Sequence, residues 1–129
     1  MSVQFYGIYV PCALILTPDV GEIIKQHTGT EAEDIYELCE IFEGKIPIAC
    51  SGNVSGEGRP LPWTSHDYID YEDDSIYYIK SNRDPQFFNT AYSSIEELEE
   101  EFRQKLKGYV PDDFPVSKYL FSIVGASYD

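Results

Sequence analysis

Basic residues are scarce in this chain of 129 residues, and their scarcity excludes two common classes of binding partner. The chain has nine Lys and Arg against 23 Asp and Glu, which gives a net charge of −14 at pH 7. A surface this negative repels phosphate groups, so we expect no direct binding to nucleic acid or to a membrane. The same charge attracts basic protein surfaces over long range and speeds encounter with them.

Residues that build metal centres and disulfide frameworks are also few. The three cysteines (Cys12, Cys39 and Cys50) are odd in number, and no two stand at a CxxC spacing; the two histidines are His27 and His66. These separations do not match a structural zinc site, and the odd count argues against a disulfide framework. We therefore expect no metal, no cofactor and a reduced, cytoplasmic setting.

A long hydrophobic run and a secretory leader are both lacking. The longest stretch without a charge ends at Asp19 and is interrupted by Gln4, Gly7 and Pro11. It is too mixed in polarity to span a bilayer, and its first residues contain no basic region of the kind that opens a signal peptide. The expectation is a soluble protein.

Motifs that would fix a reaction are absent as well. The glycine-rich residues 52–58 lack the Lys-Ser/Thr of a phosphate-binding loop, no GxSxG occurs, and residues 67–74 lack the spacing of an EF-hand loop. We therefore expect a protein that is not an enzyme. One alternative is a small cytoplasmic enzyme that uses Cys50 and His66, which flank the same predicted loop. Another is a structural subunit that associates with itself through a sheet edge or apolar patch, although the sequence leaves the oligomeric state open.

Apolar and aromatic residues are plentiful. Hydrophobic residues make up 43% of the chain and aromatic residues 15%, including 11 Tyr. This much apolar surface can offset the entropy of ordering the chain, which a disordered acidic tail cannot do. The length suits one core, so residues 1–129 are predicted to form a single acidic domain.

Residues 94–108 predict the clearest helix. Ser94 and Glu97 have the spacing of a capping box, and an apolar stripe follows at helical period: Ile95, Leu98, Phe102 and Leu106. Acidic residues are concentrated in the first half of this helix and basic residues lie in its last turns, which suits the helix dipole. Gly108 suits the C-terminal cap.

Two shorter helices are predicted near the start. Thr17, Pro18 and Gly29 have the order of an N-cap, a first helical residue and a C-cap. Thr30 and Glu33 then suggest a second capping box, whose helix ends at Gly44.

The remaining apolar stretches predict strands. They are residues 3–10, 46–50, 68–71, 76–79 and 119–126, with residues 72–75 as an acidic hairpin turn and residues 51–65 and 81–90 as loops. Pro11 interrupts the first strand, and residues 12–16 either continue as a second short strand or cross to the face of the sheet. Strands and helices do not alternate strictly, so the predicted fold class is α+β. We expect a mainly antiparallel sheet of about five strands covered by about three helices.

Clustered carboxylates are the feature most suggestive of function. They lie along the second helix, around the predicted hairpin and on the third helix, and near the hairpin they are interleaved with tyrosines. Acids can match Lys and Arg on a partner while the rings supply contact area. The predicted partner-binding residues are Asp67, Tyr68, Asp70, Tyr71, Glu72, Asp73, Asp74, Glu96, Glu97 and Glu100.

The composition favours an inhibitor or binding protein that occupies a basic surface of a partner, chiefly one that binds nucleic acid. In size and acidity the chain is similar to phage antagonists of restriction or CRISPR nucleases and to immunity proteins against nuclease toxins. That similarity is one of composition alone. It implies a mechanism in which carboxylates stand in for phosphates.

Overall fold

The structure is a computed structural model that describes residues 5–61, 64, 67–82 and 92–128, without the side chains of residues 5, 92–95 and 128. Its elements are β1 (Phe5–Ile15), α1 (Pro18–Thr28), α2 (Ile35–Ile41), β2 (Ala49–Pro60), β3 (Ile69–Lys80), α3 (Tyr92–Lys105), a 3-10 helix (Val116–Tyr119) and β4 (Leu120–Tyr128).

The four strands form a closed antiparallel barrel in the order β1-β3-β2-β4. The predicted combination of an antiparallel sheet with three helices is confirmed. The predicted number of about five strands is wrong, because stretches that suggested separate strands belong to single long strands.

Apolar side chains divide between two clusters on opposite sides of the sheet. The inner cluster fills the barrel: Val10, Ala13, Ile15, Val54, Ile76, Tyr78, Phe121 and Ile123. The outer cluster lies between the barrel and the helices and includes Leu14, Ile79 and Leu120 from the strands. Successive residues of a strand point to opposite faces, so each strand can supply both clusters.

A single strand, β1, continues through Pro11, where the sequence predicts an interruption. The register of β1 against β4 shifts between Val10 and Ala13, which is where the proline lies. Proline lacks an N–H for the ladder but is tolerated at such an irregularity. Beyond the shift, the side chains of Cys12 and Leu14 face the helices and those of Ala13 and Ile15 face the barrel.

The predicted loop over residues 51–65 is wrong for most of its length, because β2 runs from Ala49 to Pro60. Its glycines permit close strand packing rather than a loop. A Cβ added at Gly56 would lie 2.2 Å from the carbonyl oxygen of Val124 on β4. Pro62, Trp63 and Ser65, at the end of that predicted loop, lie outside the described residues, and so does His66, which follows the loop.

The predicted hairpin over residues 68–79 is also wrong, because β3 is one continuous strand. The acidic residues expected to form its turn lie in the strand at a register irregularity, where Asp73 has a φ of 53°. Aspartate tolerates this left-handed conformation better than most residues. The acidic stretch therefore produces a bulge and not a reversal of the chain.

The helices confirm some predicted ends and correct others. Thr17 caps α1 by accepting a hydrogen bond from the Val20 N–H, and Gly29 ends it in the left-handed conformation. The predicted Thr30 cap is wrong: Asp34 caps α2 by accepting from the Glu37 N–H at 2.8 Å. The helix α3 begins at Tyr92, so Ser94 is not its N-cap.

The apolar face of α3 matches the predicted stripe where its side chains are described. Leu98 and Phe102 are buried, as is Leu106 just beyond the helix, and Gly108 has a left-handed φ of 89°. The predicted last strand, residues 119–126, begins one residue too early, since Tyr119 belongs to the 3-10 helix and β4 begins at Leu120. Residues 83–91, which cover most of the predicted loop at 81–90, lie outside the described part.

Candidate partner-binding surface

The first half of β3 presents carboxylates to solvent. Asp70 and Glu72 alternate with Ile69 and Tyr71, whose side chains pack against the inner cluster. Beyond Tyr71 the bulge breaks this alternation. As a result, Glu72, Asp73 and Asp74 are all exposed, as are Asp67 and Tyr68 just before the strand. We call the exposed set Asp67, Tyr68, Asp70, Glu72, Asp73 and Asp74 the β3 patch.

The carboxylates of the β3 patch have no basic counterpart within the described part of the chain. None of them lies within 4.0 Å of a Lys or Arg nitrogen there. The basic side chain on the neighbouring strand, Arg59, is itself paired with Glu57. The patch is therefore a locally uncompensated negative surface, whose field is not cancelled by close ion pairs.

Strand register extends this surface across the sheet. Tyr9 of β1 is opposite Val124 of β4, Val124 is opposite Glu57 of β2, and Glu57 is opposite Asp70. Residues opposite each other in a ladder share a face, so these four side chains form one row. Tyr9 at one end is 67% exposed, and Tyr68 beside the other end is 61% exposed. The face has aromatic rings at two borders, with Val124 and the ion-paired Glu57 and Arg59 between them.

The predicted acids on α3 lie elsewhere. Glu96, Glu97 and Glu100 are exposed on a helix whose Glu101 accepts hydrogen bonds from Ser81 and from the N–H of Asn82, just past the end of β3. At about 3.3 Å per strand residue, Asp74 and Ser81 are separated by about 23 Å. The structure therefore places the predicted partner-binding residues in two separate patches.

Tyr71 differs from the other predicted contact residues, since its ring packs against the inner cluster. Burial, with a smaller contribution from the nearby Asp74 carboxylate, raises the pKa of Tyr71 to about 12. The phenol stays neutral at physiological pH. The Tyr71 ring therefore supports β3 from inside the barrel, whereas Tyr68 is the exposed tyrosine of the patch.

The cysteine chemistry considered for an enzyme centres on the exposed Cys50. It is opposite Tyr77 in the ladder between β2 and β3. Burial is the main cause that raises the pKa of the Tyr77 phenol, and interactions with Cys50, including a hydrogen bond, come next. Burial, with Cys50 as the second cause, raises the pKa of Cys39 to about 11. The Cys39 thiol is therefore a poor nucleophile at neutral pH. His66 lies outside the described residues, so its pairing with Cys50 stays a prediction.

Metal ligation needs several donor side chains arranged around one point. Among the residues that the structure describes, no group of three or more His, Cys, Asp or Glu side chains is arranged to hold a metal ion. The carboxylates of the β3 patch therefore lie together on one surface without converging on a point.

A cleft of about 240 Å³ separates α1 from α2. Gly21, Ile35 and Leu38 line its floor, and Lys25 lies among acidic residues at its rim. Its lining contains neither a histidine nor a cysteine. The cleft is a packing feature of the two helices, where a Cβ at Gly21 would lie 2.5 Å from the end of the Ile35 side chain.

Sequence reasoning missed the part of the face contributed by other strands. Glu57 and Arg59 are not predicted as contact residues, because the sequence pattern assigns them to a loop. Tyr9 is not predicted because the sequence does not show which strands lie between β1 and the acidic stretch. The sequence does contain one signal, because small residues on one side of a strand mark close approach of another backbone. Along β2, Val54, Gly56 and Gly58 alternate with Ser55, Glu57 and Arg59.

Comparison with protein-family models, with curated proteins and with solved structures finds no match for this chain. Within the described ranges, no helix has the length and apolar character needed to cross a membrane.

Proposed function

We propose that the protein is a non-enzymatic acidic binding protein that occupies a basic, nucleic-acid-binding surface of a partner protein, as an antagonist or immunity protein of a nuclease would. The observation that carries the proposal is the β3 patch, in which exposed carboxylates follow one strand and form no ion pair with the Lys and Arg side chains that the structure describes. The large negative charge of the whole chain supports the same conclusion, since it draws the protein towards basic surfaces.

The spacing of the carboxylates supports their use in place of phosphates. Asp70 and Glu72 are two residues apart on one face of a strand, which corresponds to about 6.6 Å. Phosphates of one DNA strand succeed each other every 3.4 Å along the helix axis, and because the backbone winds around that axis, neighbouring phosphates lie farther apart in space than this rise. The carboxylate spacing is therefore of the order of that between neighbouring phosphates. A cleft that binds the nucleic acid backbone has its Lys and Arg arranged for such a series.

Aromatic side chains add contact area to the charge. Tyr68 lies beside Asp70 at one border of the face and Tyr9 at the other. Tyrosine supplies a large, stiff contact surface with a polar end, and it is enriched in protein interfaces. The pairing of Arg59 with Glu57 leaves the face without an uncompensated positive charge of its own.

The α3 acids Glu96, Glu97 and Glu100 remain part of the proposal as a second patch. A partner that touches both patches has to extend over about 23 Å, which corresponds to about seven base pairs at 3.4 Å each. A basic nucleic-acid channel of ordinary size is long enough for this. One partner surface can therefore contact both patches.

The test is capture of a partner from a lysate of the native host by three immobilised forms of the protein. One form is wild type, and one carries Asp70→Lys, Glu72→Lys, Asp73→Asn and Asp74→Lys. Asparagine is used at position 73 because it tolerates the positive φ of that residue. The immobilised proteins are washed at about 50 mM NaCl, where surface charges attract a partner, and at about 300 mM NaCl, where that attraction is screened.

The third form is a control with the same change in charge on another surface. It carries Glu31→Lys, Glu33→Lys, Glu43→Lys and Glu40→Gln, all at exposed positions around α2. We expect a partner that wild type and the control retain, that the β3 variant loses, and that duplex DNA displaces. Equal retention by all three forms, failure of DNA to compete, or binding unchanged by salt would each contradict the proposal.

A further inference from the structure

Two cysteines from separate elements lie on the outer face of the barrel, where the helices cover it. Ala49 at the start of β2 packs against the inner cluster, so the side chain of the next residue, Cys50, points to the outer face. Tyr77, which is opposite Cys50 in the ladder, packs against the outer cluster. The helix α2 lies over the same face, since its Leu38 belongs to that cluster. The fold therefore places Cys39, the next residue of α2, on the helix that covers the strand of Cys50.

A tight turn after α2 leads the chain directly into β2. The Ile46 N–H donates to the Phe42 carbonyl at 3.1 Å, which reverses the chain just past the end of the helix. A hollow of about 400 Å³ lies beside this turn, and both Cys39 and Ile48 line it. Ile48 packs against the outer cluster and precedes Cys50 by two residues, so the two side chains share a face of the extended chain. The turn thus brings Cys39 beside the segment that carries Cys50.

The two thiols and the Tyr77 phenol also affect one another's protonation, which requires that they lie close together. Burial raises the pKa of Cys39 to about 11, and Cys50 adds to this effect. Burial likewise raises the pKa of Tyr77, followed by Cys50, which is hydrogen-bonded with the phenol, and then by Cys39. We call Cys39, Cys50 and Tyr77 the thiol cluster. Cys12 lies in a different environment, since it is 1% exposed and the charge that raises its pKa most, after burial, is Glu101.

We propose that Cys39 and Cys50 form a reversible disulfide when the protein meets a hydroperoxide, so that the thiol cluster is an oxidation site that ties α2 to β2. Cys50 reacts first, because it is exposed whereas Cys39 is half-buried. Its thiolate attacks one oxygen of hydrogen peroxide, the O–O bond breaks, and the leaving hydroxide takes up the thiol proton as water. The sulfur of Cys39 then attacks the sulfenic acid of Cys50. An S–S bond forms, the S–O bond breaks and a second water leaves, so each sulfur gives one electron to the peroxide.

A disulfide of this kind is compatible with a reducing environment. Disulfides that form in such compartments are usually transient and redox-sensing, and a thiol reductant reverses them by exchange. The cross-link would close a loop over residues 39–50 and hold α2 against the sheet. Neither cysteine belongs to the β3 patch, and the reaction consumes no carboxylate. This inference therefore does not depend on the proposed function.

Mass spectrometry of peroxide-treated protein tests the inference. Reduced protein is treated with a stoichiometric amount of hydrogen peroxide, alkylated and digested without reductant. We expect the intact mass to fall by about 2 Da, the two hydrogen atoms lost in a disulfide, and a cross-linked peptide to contain Cys39 and Cys50. Cys12 should remain a free thiol, and dithiothreitol should restore the starting mass. The thermal midpoint should rise by about 5–10 °C on oxidation, because a cross-link restricts the unfolded chain.

Variants assign the cross-link to its two sulfurs. Cys39→Ser and Cys50→Ser should each abolish it, whereas Cys12→Ala, the control, should retain it, and circular dichroism establishes that each variant is folded. The peptide map of wild type shows independently whether Cys12 takes part. Three results would overturn the inference: oxygen gained by Cys50 while Cys39 stays open to alkylation, a disulfide that joins two copies or includes Cys12, or a thermal midpoint that falls on oxidation. The last would show that the folded chain does not hold the two sulfurs together.

Discussion

At the scale of single residues, the sharpest constraint is the contact between β2 and β4 at Gly56 and Gly125. The two glycines are opposite each other in the ladder. A Cβ at Gly56 would lie 2.2 Å from the Val124 carbonyl oxygen and 2.5 Å from the Cα of Gly125. Both neighbours are backbone atoms, so the clash cannot be relieved by rotating a side chain.

We therefore expect Gly56→Ala to reduce the free energy of unfolding by at least about 1–3 kcal/mol, the usual cost of forcing an added methyl into a well-packed site. Unfolding in urea, followed by circular dichroism, measures this. Gly52→Ala is the control, because its Cβ would meet only the Ser75 hydroxyl at 3.7 Å. If both changes have the same small effect, the close approach of β2 and β4 is wrong.

The same pair of glycines shows what sequence can and cannot give at this scale. Gly56 was interpreted as a loop residue, because glycine in a single sequence favours a turn as readily as a close contact. The atom that excludes a side chain belongs to Val124, 68 positions later in the chain. Nothing near Gly56 in sequence carries that information.

At the scale of elements, local signals predicted what local interactions determine. The helix α1 was predicted with its cap and its end, since Thr17, Pro18 and Gly29 act on the backbone within their own helix. In contrast, β2 derives its structure from ladders with β3 on one side and β4 on the other. Its own residues have low strand propensity, and tertiary pairing overrides that propensity.

The candidate site was predicted in the same uneven way. The exposed acids around Asp70 could be named from sequence, because charged residues are rarely buried without a partner. Their arrangement along a strand could not, since an acidic run resembles a turn. The sequence also could not predict whether the acids of α3 lie on the same surface, because this depends on how α3 docks beside Ser81 and Asn82.

The docking of α3 against the end of β3 depends on Glu101, whose side chain is 12% exposed. Burial acts to raise the pKa of this carboxyl, but hydrogen bonds from Lys105, from the Asn82 N–H and from Ser81 together lower it below its ordinary value. A lowered pKa in the folded state means that the ionised form stabilises the fold. This contribution is present above the ordinary pKa of glutamate and is lost as the pH falls through the folded-state pKa.

We expect Glu101→Gln to lower the free energy of unfolding by about 1–3 kcal/mol at neutral pH, as loss of a hydrogen-bonded charge does. Because the variant has no carboxyl at this position, the difference between its free energy of unfolding and that of wild type should shrink as the pH falls below 4.5. Urea unfolding at several pH values measures both effects. Glu100→Gln is the control, since the described contact of that exposed side chain is with Gln104 on the same helix. A difference that is constant with pH would contradict the role given to Glu101.

At the scale of the whole molecule, surplus negative charge acts on stability as well as on binding. The chain has 23 acidic and nine basic residues. In the part of the chain that the structure describes, the close ion pairs are Glu22 with Lys25, Glu57 with Arg59 and Glu101 with Lys105. Nine basic side chains can compensate at most nine of the 23 carboxylates, so the compact state holds a surplus of negative charge whatever the pairing. Self-repulsion of this kind is stronger in the compact state than in the unfolded chain.

Salt should consequently stabilise the folded protein. Raising NaCl from about 20 mM to about 300 mM shortens the Debye length from more than 20 Å to about 6 Å and screens the repulsion between patches. We expect the thermal midpoint, followed by circular dichroism on dilute protein, to rise by about 3–6 °C, which corresponds to about 1 kcal/mol for a domain of this size.

Two comparisons distinguish repulsion between patches from other effects of salt. Potassium chloride at the same ionic strength should give the same rise, because screening depends on ionic strength rather than on the identity of the cation. The variant with Asp70→Lys, Glu72→Lys, Asp73→Asn and Asp74→Lys should show a smaller rise, since it has less charge to screen. If its midpoint responds to salt as strongly as that of wild type, the β3 patch does not contribute to the repulsion. If the wild-type midpoint falls with added salt, attractive ion pairs outweigh the surplus charge, and the negative field invoked for partner binding is itself too weak to act.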